Sequence, residues 1–189
     1  MRASLKLICQ GATAASRCSH FPGDDPLEAQ EWQRAQKLHP IDARYQNVWT
    51  APETAARQTA TALSLQAIPA AELADACYGL WAGRPLREVM MQDSEAFHAW
   101  LEGAAPPGGE SRAHLLARSA AWLAERVDIP GFHCAVVPAA VIRAMIVEVL
   151  GAPLRSFARI DIHPLSIVEL HSDGRRWHFC VLKGCASDE

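Results

Sequence analysis

Leu5-Lys6-Leu7-Ile8-Cys9-Gln10-Gly11-Ala12-Thr13, near the start of the chain, is an apolar run that stops at a glycine. Lys6 interrupts a stretch already too short for a secretory leader, so the segment reads as a buried first strand followed by a loop. Gly11 suits a place where the chain turns with little room for a side chain. Thr13 and Ser16 shape that loop, and its backbone N–H groups are able to face a ligand.

Working outward, apolar runs alternate with amphipathic stretches, the pattern of a layered α/β domain rather than a bundle or a sandwich. Strands are expected at Leu5 to Cys9, Asn47 to Trp49 and Cys134 to Val137. Helices are expected at Pro26 to Leu38, Pro52 to Leu65, Ser111 to Val127 and Ala139 to Leu150, the last stopped by Gly151 and Pro153. The runs Leu165 to Leu170 and Trp177 to Leu182 flank a turn signal at Asp173-Gly174 and predict a hairpin. The stretch 75–109, rich in Gly, Pro and Trp, has no assignable period and is expected as an insertion over the site.

The chain has 189 residues, half of them apolar, enough for one domain with a full core over 1–189. A net charge of −3 without a basic run argues against nucleic acid as a partner. No segment approaches the ~20 apolar residues that span a bilayer, so no membrane association and a cytoplasmic location are expected. The six cysteines, at 9, 18, 77, 134, 180 and 185, are scattered and form no Cys-x-x-Cys pair, so free thiols are expected. Cys18-Ser19-His20 and His133-Cys134 are weak metal candidates, and neither a metal nor a cofactor is expected.

Five segments in order resemble the histidine phosphatase (phosphoglycerate-mutase-like) superfamily, in particular its small bacterial ribazole-phosphatase-like branch. Cys9-Gln10-Gly11-Ala12-Thr13 stands where the family would carry Arg-His-Gly-Glu-Thr. Thr50-Ala51-Pro52-Glu53-Thr54-Ala55-Ala56-Arg57-Gln58-Thr59-Ala60 resembles Ser-Ser-Pro-x-x-Arg-Ala-x-Gln-Thr-Ala, and Leu73 to Gly83 resembles Leu-x-Glu-x-x-Phe-Gly-x-Trp-Glu-Gly. Pro106 to Ser111 matches a family loop, and Val136 to Ala144 resembles Val-Thr-His-Gly-Gly-Val-Ile-Arg-Ala. The resemblance implies a mostly parallel sheet flanked by helices on both faces.

It also implies where the reacting groups would stand. Gln10 falls at the nucleophilic histidine, Cys9 and Ala55 at the phosphate-holding arginines, Pro138 at the second histidine and Asp75 at the acid. A carboxamide nitrogen has its lone pair delocalised into the carbonyl, so Gln10 exchanges hydrogen bonds but cannot carry a phosphoryl group. Arg57, about 200° around a helix from Ala55, points away. His133 sits roughly 15 Å from Pro138 at the far end of its strand. Neither replaces what is missing.

With these residues the pocket is expected to be neutral or slightly negative through Asp75 and a poor holder of phosphate. The implied reading is a catalytically inactive relative that binds a small molecule or a protein, a second copy of the chain included, or regulates one. The rivals are an enzyme with different chemistry, Asp75 acting as acid or base, and residual phosphomonoesterase activity. Cys9 is expected as a small filler rather than a nucleophile, because no histidine is placed to activate it. Asp75 is expected as a solvated loop carboxylate, and Tyr78 and Trp81 as cavity walls or simple packing. Ser111 is expected to cap a helix, Glu110 beside it needs no ligand, and His163, His171 and His178 are expected as surface residues.

Overall fold

A computed structural model describes residues 3–38 and 45–180. Six strands form one sheet in the order β3-β2-β4-β1-β5-β6: β1 (Ala3–Cys9), β2 (Asn47–Thr50), β3 (Ile68–Pro69), β4 (Gly131–Val137), β5 (Ile167–Ser172) and β6 (Trp177–Cys180). The pairs β1–β4, β4–β2 and β2–β3 are parallel, whereas β5 and β6 add an antiparallel hairpin. The sheet is therefore mostly parallel, as expected.

Because β1 and β4 are central, both of their faces are covered, and this explains why they read as continuous apolar runs. Leu5, Leu7, Cys9, Ala135 and Val137 point to a core shared with α6 (Arg112–Ala124) and α7 (Ala139–Val149). Ile8, Cys134 and Val136, on alternate positions, pack on the other side against Ala60 of α3 (Thr54–Ala62) and Leu65. Helices thus cover both faces.

The punctuation works locally. After α7, Gly151 takes φ +58°, its N–H bonding to Glu148 O and that of Ala152 to Val147 O, each at 2.9 Å, which closes a Schellman cap. Ser111 Oγ accepts from His114 N at 3.1 Å and starts α6. In the hairpin, Asp173 Oδ1 accepts from both Arg175 N and Arg176 N. The second hairpin strand is described as far as Cys180; Val181 and Leu182 lie outside the described residues.

The stretch that periodicity left unassigned folds into one short 3₁₀ turn (Gly79–Trp81) and two helices, α4 (Leu86–Gln92) and α5 (Ser94–Leu101). It is organised by a cluster of Phe21, Trp81, Val89 and Phe97 with Tyr78 and Trp100 against it. Two further short helices, α1 (Ala14–Arg17) and α2 (Ala29–Lys37), follow β1. Among the described residues no helix is long and apolar enough to cross a membrane. Cys9, Cys18, Cys77, Cys134 and Cys180 are free thiols, and Cys185 lies outside the described residues.

Candidate functional site

The carboxyl ends of β1, β2 and β4 lie side by side, the place where open parallel sheets hold ligands. Gln10 N donates to Val137 O and Ala51 N to Val136 O, each at 2.9 Å, so the three exits are held in register. A cavity of about 530 Å³ opens above them, lined by Cys9, Gln10, Ala55, Asp75 and Pro138 among others. The lining residues run from Cys9 to Pro164 along the chain, and only the fold brings them into one place.

Gly11, Thr13, Ser16 and Tyr78 also face this cavity. Gly11 is required by space: a Cβ there would stand 2.5 Å from Leu27 Cδ1 and 3.1 Å from Glu31 Cβ. Its N–H donates to Thr59 Oγ1 at 3.0 Å, so this amide is already used within the fold. Thr13 and Ser16 form a reciprocal capping box on α1, Thr13 N donating to Ser16 Oγ at 3.0 Å and Ser16 N to Thr13 Oγ1 at 3.3 Å. Local structure accounts for both.

Trp81 does not reach the cavity. It is fully buried among Phe21, Phe97 and Trp100, with its indole N–H donated to Asp93 Oδ2 at 3.0 Å. Packing, the blander of the two expectations, is the right one for this residue, because the ring anchors the 3₁₀ turn from which Tyr78 is displayed.

Asp75 corrects the sequence reading in the other direction. It is half-buried on the cavity wall rather than freely solvated, and burial, with the charge of Glu53 adding, pushes its pKa up to about 7. Its own N–H donates to Glu53 Oε1 at 2.9 Å, and its Oδ1 accepts from Ala76 N at 2.8 Å. Cys9 is 2% exposed, and burial, reinforced by Asp75, pushes its thiol up to about 12. A thiol held protonated this firmly is a filler and a poor nucleophile.

The cavity is more charged than the strand-end residues suggested. Arg17, Arg34 and Arg143 line it, together with Asp25, Glu31, Glu53 and Asp161. Arg17 and Arg34 are both committed to Glu31, a fully buried carboxylate, at 3.1 and 2.5 Å. Partly buried Arg143 stands 3.8 Å from Asp161, which is exposed. His163, expected as an uninvolved surface residue, lies exposed on the rim of the same cavity. Three buried polar atoms of cavity residues, Gln10 Oε1, Glu53 Oε2 and Arg143 Nε, have no hydrogen-bond partner among the described residues.

Arg143 is the functional-site residue that sequence reasoning passed over, although a signal existed. Ala139, Ala140 and Arg143 are three and four positions apart and so share one face of α7, the face that follows Pro138 into the cavity. By contrast Arg57 is exposed and away from the cavity, and His133 is buried within β4, hydrogen-bonded to Asn47 Nδ2 at 3.2 Å. Neither approaches the strand ends, as expected.

The histidine phosphatase superfamily (branch 1) matches the chain over residues 5–183. No curated protein matches it. Among solved structures, a putative α-ribazole-5′-P phosphatase from Escherichia coli K-12 superposes with a TM-score of 0.86 at 22% identity, covering 96% of each chain. The α-ribazole phosphatase from Shigella flexneri gives a TM-score of 0.84 at 24% identity, again covering 96% of each chain. A mycobacterial glucosyl-3-phosphoglycerate phosphatase solved with VO3 gives 0.79 at 23%, covering 94% of this chain and 97% of its own. At these identities the structural likeness speaks for the fold alone, and it agrees with the match along the sequence: this chain belongs to the histidine phosphatase superfamily, branch 1.

Proposed function

We propose that this protein does not run phosphohistidine chemistry and uses the strand-end cavity as a binding or regulatory module. The observation that carries the reading is Gln10 at the end of β1, its Oε1 buried and unpartnered beside Cys9, Ala55 and Pro138. A carboxamide there has no nucleophilic nitrogen, and none of the other three supplies a cation for phosphoryl oxygens. Of the three lining arginines, two are matched by carboxylates: Arg17 pairs with Glu28 and Glu31, and Arg34 with Glu31. What faces the Gln10 end is acceptor-rich, with Glu53 Oε2 unpartnered and Asp75 adjacent. The ligand group that suits it is a neutral or cationic hydrogen-bond donor rather than a phosphate ester.

The test is hydrolysis of p-nitrophenyl phosphate by the purified protein, with a Cys9→Ser, Gln10→Ala double variant as control. Turnover no greater than the control supports the reading, whereas turnover that vanishes in the variant overturns it. Tight phosphate binding at the Gln10 end, seen as shifts of the Gln10 and Gly11 amide resonances, would sink it as well. Restoring Gln10→His, Cys9→Arg, Ala55→Arg and Pro138→His together should create phosphatase activity on the intact backbone frame. A folded quadruple variant without activity would mean that the cavity departs from the family shape beyond these positions.

One observation favours a second reading, an enzyme of different chemistry. A carboxyl in a cavity with its pKa raised to about 7 is poised for proton transfer near neutrality. If that reading holds, a screen of p-nitrophenyl esters finds an activity whose pH profile bends near 7 and loses that bend in Asp75→Asn. An unchanged profile in the variant removes Asp75 from any such role.

A further inference from the structure

Beside the strand-end cavity lies a second pocket of about 280 Å³, which shares Tyr78, Ala140 and Arg143 with it. Most of its wall is apolar, including Trp100, Leu101 and Phe157. Two guanidinium groups stand over the same Phe157 ring, Arg112 with its Cζ 5.1 Å from the ring centroid and Arg143 at 5.9 Å. The carboxylate in the wall, Glu110, is already taken by Arg118, whose Nε and Nη2 reach its two oxygens at 2.8 and 2.9 Å.

The two arginines are otherwise lightly engaged. Arg112 donates to Leu101 O at 3.3 Å and Trp100 O at 3.4 Å, both long bonds at the end of α5. Arg143 Nε is buried without a partner among the described residues, and its nearest carboxylate, Asp161, is 3.8 Å away. Burial, with Arg143 as a like charge, holds Arg112 below the usual guanidinium range, while Glu102 partly offsets this. Among the described residues Arg112 makes no salt bridge and Arg143 only the long one to Asp161, so the two cations against this ring are incompletely matched.

We infer that this side pocket is a subsite for a carboxylate on a small apolar or aromatic body, held by Arg112 and Arg143 and packed on Phe157 and Tyr78. A carboxylate matches the planar fork of a guanidinium, and an apolar body matches the walls. A free phosphate, heavily hydrated and without apolar surface, leaves most of the pocket uncovered. The assignment goes beyond the reading of the strand-end cavity and does not depend on whether Gln10 supports any turnover. Together the two pockets describe a ligand with a carboxylate at one end and hydrogen-bond donors at the other.

Benzoate titrated into the ¹⁵N-labelled full chain tests it, observing the side-chain Nε–H resonances of Arg112 and Arg143. Saturable, concerted movement of both, with Gln10 unmoved, is the expected result. Arg112→Gln should then weaken binding roughly tenfold or more through loss of a charge-assisted hydrogen-bonding group. Arg112→Lys, which keeps the charge but loses the fork, should fall between the two. Absence of saturable shifts in the wild type overturns the inference, as does benzoate affinity undiminished in a folded Arg112→Gln. Inorganic phosphate that moves the same two resonances as tightly as benzoate overturns the carboxylate assignment. Should the variant fail to fold because Arg112 also holds the end of α5, the wild-type titrations decide alone.

Discussion

Two regions of the molecule treat their polar atoms in opposite ways. In the aromatic cluster under α4 and α5, the indole N–H of fully buried Trp81 is donated to Asp93, and Asp93 is in turn held by Arg84 at 3.2 Å. In the strand-end cavity, Gln10 Oε1, Glu53 Oε2 and Arg143 Nε are buried without partners, and Asp75 is pushed toward neutrality. A region that satisfies its buried polar atoms contributes to stability, whereas one that leaves several unsatisfied gives up stability and is suited to a ligand. Ser119 Oγ and Trp122 Nε1 on α6 are also buried without a partner among the described residues, so the contrast holds between these two regions and not for the scaffold as a whole.

The largest expected effect falls on the scaffold. Trp81→Ala should cost about 3–5 kcal/mol in urea denaturation, the range for a large aromatic truncated inside a packed cluster. A loss below about 1 kcal/mol would dissolve the contrast. Next comes Asp75. Its folded pKa of about 7 lies above the unfolded value near 3.9, so folding takes up a proton between those limits. Stability from this group is fully present below about pH 4 and is lost as the pH rises through about 7. Asp75→Asn should therefore flatten melting temperature against pH across that window and, above pH 7, exceed the wild type by at most about 4 kcal/mol. A variant that melts in parallel with the wild type at every pH would show that Asp75 is solvated after all.

Glu31 lies at the edge between the two regimes, fully buried yet paired to Arg17 and Arg34, whose side chains are 48% and 55% exposed. Glu31→Gln should cost about 2 kcal/mol, less than a wholly buried pair, because water already screens both partners. High salt that leaves the wild type unchanged and a variant of equal stability would together show the triad to be energetically idle. The smallest effect is expected at Gln10→Leu, which removes an unsatisfied carboxamide. Stability should stay level or rise by about 1 kcal/mol. A drop of more than that would make Gln10 part of the scaffold and remove the main support for a binding cavity.

Much of this architecture was legible in the chain because it rests on short-range chemistry. The apolar runs of β1 and β4, the stop at Gly151, the cap at Ser111 and the turn at Asp173-Gly174 are each decided within a few residues, and each forms where it was expected. The 75–109 stretch was illegible because its helices are short and their order comes from aromatic contacts with Phe21, far off in sequence. Trp81 and Tyr78 illustrate the limit. They are three positions apart and similar in type, yet one is fully buried and the other lines two pockets.

By itself, the sequence determined which side chains stand at the strand ends, since Cys9, Gln10, Ala55 and Pro138 follow from motif order, and hence which chemistry those positions cannot do. Only the tertiary structure decided the charge of the surroundings and the second pocket. Glu28 and Glu31 together offset Arg17 and Arg34, burial raises Asp75, and Arg112 and Arg143 meet over Phe157. The reason is physical: identity along a strand is local, whereas desolvation and charge pairing depend on groups that folding brings close from distant parts of the chain.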